Sequence, residues 1–142
     1  MKPQDIALLA LVLWREARGE VLLVTKQAVA WSIRNRVNHP GWWGRSWWTV
    51  ILMPFQYSSF NHNDPNATKW PMETDESWLE CVAVAADIGS DTPSISDPTN
   101  GATSYFDMSM DINPPKWATD GSNEKICDYG RIHFYRLATS HP

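Results

Sequence analysis

The chain has 142 residues but only two cysteines, with no Cys-x-x-Cys pair and no histidine spacing of a zinc helix. Two reduced thiols, Cys81 and Cys127, are therefore expected in place of a metal site, with one disulfide between them left open. Long basic runs are absent too and the pI is near 5.5, which argues against nucleic acid as a partner. There is no glycine-rich phosphate loop, and Ser58 and Ser59 lack the setting of a nucleophile elbow, so nucleotide and serine-hydrolase chemistry are set aside. No cofactor and no metal is expected. The apolar run Ile6 to Trp14 has nine residues, whereas a bilayer span takes about 20, so no stable membrane insertion is predicted. That run has the length of a signal-peptide core, but Asp5 interrupts the basic leader and no small-x-small cleavage site follows. It is read as part of the fold, with the protein held in the cytoplasm until a membrane pore releases it. Without repeats or low-complexity tracts, residues 1–142 are expected to form one monomeric domain, burying roughly two thirds of the surface of the unfolded chain.

What is abundant is tryptophan: nine residues, against an ordinary charged content of 20%, which points to aromatic surfaces or an aromatic core. Charge is uneven, with seven Lys/Arg against three Asp/Glu in residues 1–50 and five against thirteen beyond. A basic first half suits a cleft for carboxylate-bearing polymers, although a solvated helix face explains it equally simply.

Pro3 suits a first helical turn, and Ile6, Leu9, Leu13 and Glu16 follow on one side at spacings of three and four, predicting a buried helix with Gly19 as its left-handed cap. A second helix is expected over 25–38, with Thr25 as N-cap and Asn35 as a buried hydrogen-bonding strut. A short one is expected over 47–52, stopped by Pro54, and a third long one over 75–88, with Trp78, Val82, Ala85 and Ala86 inward and Gly89 at its end. Residues 55–70 read as loop with a possible hairpin, 102–106 and 131–137 as short strands, and the stretch between those strands as irregular. Helices first and a small sheet later predict an α+β fold, mainly helical with a small antiparallel sheet and long loops.

Glu16 ends the apolar helix in the string Trp14-Arg15-Glu16-Ala17-Arg18-Gly19-Glu20. Burial beside hydrocarbon and the negative end of the helix dipole both disfavour its carboxylate, which is how a general acid is made. Taken alone, a Glu that closes a core helix beside Arg15 or Arg18 is the plainer reading. Glu20 cannot be placed by helical geometry beyond Gly19 and is expected to pair with Arg18 or Arg36. Asp64, Asp97 and Asp107 lie in loops near a possible cleft, the Asp97 segment reading equally well as a turn.

Further blocks stand in order along the chain: Gln27 to Val37, Phe55-Gln56-Tyr57-Ser58-Ser59-Phe60-Asn61, Asp97 to Phe106, Pro114-Pro115-Lys116-Trp117-Ala118 and Ile132-His133-Phe134-Tyr135. Together with the string around Glu16, they resemble the SleB-type cell-wall hydrolases over about residues 5 to 137. The resemblance implies a lysozyme-like fold acting on the glycan strands of peptidoglycan, with Glu16 as catalytic acid. It also implies a way to work with one carboxyl group. A lytic transglycosylase uses a single Glu as acid and then base, while the sugar's own 6-hydroxyl closes an anhydro ring. A muramidase, in which water attacks, is the alternative, and a wall-binding module without catalysis is another. The sequence departs from the family where Ser104 stands in place of a histidine found in some relatives, and in a longer Gly121–Gly130 segment.

A glycan cleft needs flat apolar faces for sugar rings and polar groups beside them. Gln56, Tyr57, Ser58 and Phe60 mix both types, with Tyr57 and Phe60 equally suited to the core. Tyr105 on a strand and Trp117 on a loop after two prolines complete the expected substrate-binding set. Trp14, Trp31 and Trp78 are assigned to the core. Trp42, Trp43, Trp47 and Trp48 fit either a wall-contact patch or a satellite core. His39, His62, His133 and His141 show no ligand spacing, and a structural role is the default for His133.

Overall fold

The computed structural model describes residues 1–53, 56–61 and 63–138, and of Ser58 only the backbone. Expectations that rest on Pro54, Phe55, His62, His141 and the Ser58 side chain lie outside the described residues. Helix α1 (Pro3–Ala17) opens with proline in its first turn and Asp5 accepting from the Lys2 amide at 3.3 Å. Leu9, Ala10, Val12 and Leu13 are wholly buried, making α1 the central element. Its end differs from expectation. Arg18 closes the helix in right-handed conformation, and Gly19 is not among the residues with positive φ. The reason is a side chain: Arg18 Nη1 donates to the carbonyls of Trp14 at 3.2 Å and Arg15 at 3.4 Å, serving acceptors that a left-handed cap would otherwise satisfy.

Helix α2 (Leu23–Asn38) starts two residues before the expected point. Thr25 is not its N-cap but a fully buried residue of the first turn, because packing under the sheet outweighs capping preference. Helix α3 (Trp47–Leu52) is capped by Ser46, whose hydroxyl accepts from the Thr49 amide at 3.1 Å. Helix α4 (Glu76–Ile88) is capped by Asp75, which accepts from the Ser77 amide at 2.9 Å and also from Trp14 Nε1 at 3.1 Å. Its inward face is Cys81, Val84, Ala85 and Ile88. Ala86 is exposed, so this stripe is rotated from the expected one. Helix α4 packs on α1 and α2, and α3 wedges against both.

Residues 56–70 hold two 3-10 turns, Ser58–Phe60 and Pro65–Thr68. Strands β1 (Ser104–Asp107), β2 (Asn123–Tyr129) and β3 (Ile132–Leu137) form an antiparallel sheet in the order β1-β3-β2. Strand β2 and the single-turn helix α5 (Lys116–Thr119) lie in the segment expected to be irregular. With the helices forming the scaffold and this sheet laid on α2, the architecture is α+β. The β2–β3 turn is held from below. Glu20 Oε1 accepts from the Arg131 amide at 3.2 Å. Gly130 has φ 56°, and a Cβ there would collide with the Glu20 carboxylate. Glu20 thus supports the hairpin and has no Arg18 or Arg36 partner among the described contacts.

Asn35 performs the strut role read from the sequence, its Nδ2 donating to Asp97 Oδ2 at 2.8 Å and to the Ala102 carbonyl at 2.9 Å. Asp97 also accepts from the Thr99 and Gly101 amides at 2.8 and 2.9 Å, so its segment is a turn and its carboxylate is occupied there. Cys81 and Cys127 are both free thiols. Among the described residues, no helix is long and apolar enough to cross a membrane.

Candidate active site

Glu16 sits in the last turn of α1, partly buried, with its carboxyl on the wall of a cleft of about 550 Å³. The Tyr105 hydroxyl, carried on edge strand β1, donates to Glu16 Oε1 at 3.1 Å. Ser59 is wholly buried beside the same carboxyl, and both its amide and its hydroxyl favour the carboxylate form. Even so, the hydroxyl finds no partner within hydrogen-bonding geometry among the described residues. Burial dominates and pushes the Glu16 carboxyl up to about 7; the Tyr105 hydrogen bond opposes this, the Asp64 charge adds to it, and Ser59 opposes it weakly. Burial also pushes the Tyr57 phenol up to about 12 and holds Tyr105 well above its usual range. Both phenols therefore stay neutral, and Tyr105 remains a donor.

The loop opposite is fastened to α1. Arg15 Nε donates to the Lys69 carbonyl at 3.1 Å, and Arg18 Nη2 to Asn66 Oδ1 at 3.0 Å. On the other wall Arg36, itself buried, donates through Nε to the Thr103 carbonyl at 2.5 Å, through Nη1 to Gln56 Oε1 at 3.0 Å and through Nη2 to Ser104 Oγ at 3.1 Å. One guanidinium therefore orients Gln56 and fixes the start of β1, and with it Tyr105.

Of the residues expected to bind substrate, the structure brings Gln56, Tyr57, Tyr105 and Trp117 to the cleft with Glu16. Phe60 does not line it; its ring packs under the Arg15 guanidinium at 5.0 Å, the core role that was the other expectation for it. Trp117 stands edge-on to Phe106 and Tyr135, with centroids at 5.9 and 5.3 Å. The four clustered tryptophans divide: Trp43 is core at 4% exposure, whereas Trp42, 65% exposed, lines the cleft. Sequence reasoning missed Arg36, Ser59, Asn66 and Phe106, and left Trp42 between a wall-contact patch and a satellite core. A signal existed for Arg36, which follows Val29 and Ile33 on the buried stripe of α2, an unusual place for a cation. For Trp42 the signal was its tryptophan cluster, which did not separate it from buried Trp43.

Tyr105→Phe is expected to move the alkaline fall in activity to higher pH, because the lost hydrogen bond is one that favours ionised Glu16. A pH profile of wall clearing checks this; an unmoved fall would detach Tyr105 from the titrating group.

A helical scaffold and a small sheet thus close on a protonatable carboxyl in a cleft of aromatic and amide side chains, the outline of a polar-substrate site. The chain belongs to the cell wall hydrolase family of SleB type, whose profile matches residues 23–135. No curated protein and no solved structure matches the chain. Membership makes the bacterial cell wall the place of action and peptidoglycan breakdown the general activity. The match begins after Glu16, so the role of that residue rests on its geometry.

Proposed function

We propose that the protein cleaves the β-1,4 bond from N-acetylmuramic acid to N-acetylglucosamine as a lytic transglycosylase, with Glu16 as acid and then base. The observation that carries this reading is a carboxyl group with its pKa near 7, open to a cleft and held by the Tyr105 hydroxyl. In the first step Glu16 gives its proton to the bridging oxygen as the C1–O bond breaks. In the second the Glu16 carboxylate takes the proton of the muramic acid 6-hydroxyl as that oxygen bonds C1, closing a 1,6-anhydro ring and restoring the acid. No water is consumed. Gln56 and Asn66 are suited to hydroxyl and acetamido groups, and Trp42 and Trp117 to sugar faces.

A hydrolytic muramidase is the second reading, favoured by one observation: Asp64 lies close enough for its charge to raise the Glu16 pKa. Such a carboxylate is placed to activate water or support a cationic transition state. Mass spectrometry of fragments released from purified peptidoglycan tests both. Anhydro ends, one water lighter than reducing ends, are expected; reducing ends alone would transfer the assignment to the muramidase, and intact glycan with cut peptides would remove both.

A further inference from the structure

A second hollow, of about 260 Å³, lies beside the cleft on the outer face of the sheet, with the Phe106 ring lining both. The register explains its composition. His133 stands opposite Phe106 on β1 and opposite Asp128 on β2, while Tyr135 stands opposite Lys125. Directly opposed residues share a face, so these side chains project together from the face of the sheet on which α5 packs. The segment after β1 returns over them and contributes Asp111, Pro114 and Thr119.

Charges alternate along this face. Lys125 Nζ is 2.9 Å from Asp128 Oδ2, Asp128 Oδ1 is 2.6 Å from His133 Nδ1, and His133 Nε2 is 2.8 Å from Asp111 Oδ1. With a carboxylate on each ring nitrogen, both nitrogens must donate, which makes the ring an imidazolium. The hydrogen bond that His133 donates to Asp128 raises its pKa in the same direction. The row is neutral as a whole, but its ends are not. An ammonium stands at one end and a carboxylate at the other, their side chains 45% and 51% exposed. Between them lie the apolar faces of Phe106, Pro114 and Tyr135 and the Thr119 hydroxyl. Such a pocket fits a short chain that carries both a carboxylate and an amine.

We infer that this hollow is a subsite for the peptide stem of peptidoglycan, with Lys125 taking a stem carboxylate and Asp111 a stem amine. The inference rests on the glycan-cleaving reading of the cleft, since a muramic acid seated there carries its stem on the lactyl group beside the reacting sugar. Phe106, shared by the two hollows, marks the stem's path from one to the other.

Two measurements test the inference. The first compares kcat/KM on intact glycan strands with that on strands stripped of their stems by an amidase. The wild type is expected to favour the intact strands about tenfold, the worth of one charge-assisted hydrogen bond. Lys125→Ala is expected to lower kcat/KM on intact strands severalfold more than on stripped ones. Equal use of both substrates by the wild type, or equal loss on both in the variant, overturns the subsite. The second is a titration with a free stem tripeptide, alanyl-γ-glutamyl-diamino acid, followed by NMR. Shifts at Lys125, Thr119 and Tyr135 support the subsite, and unchanged spectra at millimolar peptide overturn it. If the wild type cleaves neither substrate, the glycan-cleaving reading fails and the titration alone decides whether the pocket binds stems.

Discussion

Glu16→Gln is expected to abolish clearing of a suspension of purified peptidoglycan while leaving sedimentation with it intact. Removing a general acid costs about 10²- to 10⁴-fold in rate, and here the same group is assigned both proton transfers. The amide keeps the size and hydrogen-bonding shape of the side chain, so the Tyr105 contact at 3.1 Å survives in altered form and the fold should persist. A wall-binding module without catalysis would show no clearing by the wild type either, which separates the two classes. Clearing by the variant at the wild-type rate would end the assignment of Glu16.

The same substitution carries a stability signature with a definite sign. Burial raises the Glu16 pKa from its ordinary 4.5 to about 7. In acid, both the folded and the unfolded chain hold this proton. As pH rises above 4.5 the unfolded chain releases it first, and the folded state progressively loses its advantage until its own carboxyl ionises near 7. The loss amounts to no more than about 3 kcal/mol by pH 8. The amide introduced by Glu16→Gln does not titrate, so the variant should gain on the wild type between about pH 5 and 8 and hold that gain above it. Urea unfolding at several pH values reads the difference; a constant offset would show that Glu16 titrates like an exposed residue.

Phe134→Ala is expected to be the most destabilising single change, by about 3–5 kcal/mol. Among the described residues Phe134 is the largest wholly buried side chain, placed on the middle strand of the sheet. Its ring lies 6.0 Å from Tyr105 and 6.0 Å from Tyr129. Truncation would leave a cavity behind Tyr105, the residue that holds the Glu16 carboxyl in place, so activity should fall even where the variant is still folded. A lower urea midpoint with unchanged slope is the expected readout, and a change below about 1 kcal/mol would place Phe134 outside the cooperative core.

What could be read from the sequence was written in local chemistry. The apolar run of α1 behind Pro3 and the recurring apolar residues of α4 ahead of Gly89 each declare a helix through neighbours within a few residues. Glu16 stood out for the same reason, as the first acidic residue after the apolar run and just before a turn. Strand β2 was not. Glu124, Lys125 and Asp128 break its apolar alternation, and its place is fixed by pairing with β3 across a bulge between Lys125 and Cys127. The start of α2 was also set from a distance, by burial of Thr25 beneath the Gly130 turn. Within the site, Arg36 and Ser59 acquire meaning only when β1 and the 58–60 turn arrive beside α1, contacts that sequence spacing does not encode. Phe60 shows the converse: its local setting suited a cleft and a core alike, and the Arg15 guanidinium decided between them.

The glutamates at positions 16 and 20 stand four residues apart, on either side of the end of α1. The first receives the phenol of the sheet's outer strand, and the second grips the bend that joins the other two strands. A few residues of backbone therefore act as a ruler, measuring the sheet's position from the same short piece that presents the acid. Sliding of the sheet along α1 would disturb both contacts at once, so the alignment of this carboxyl with the phenol is built into the order of the chain.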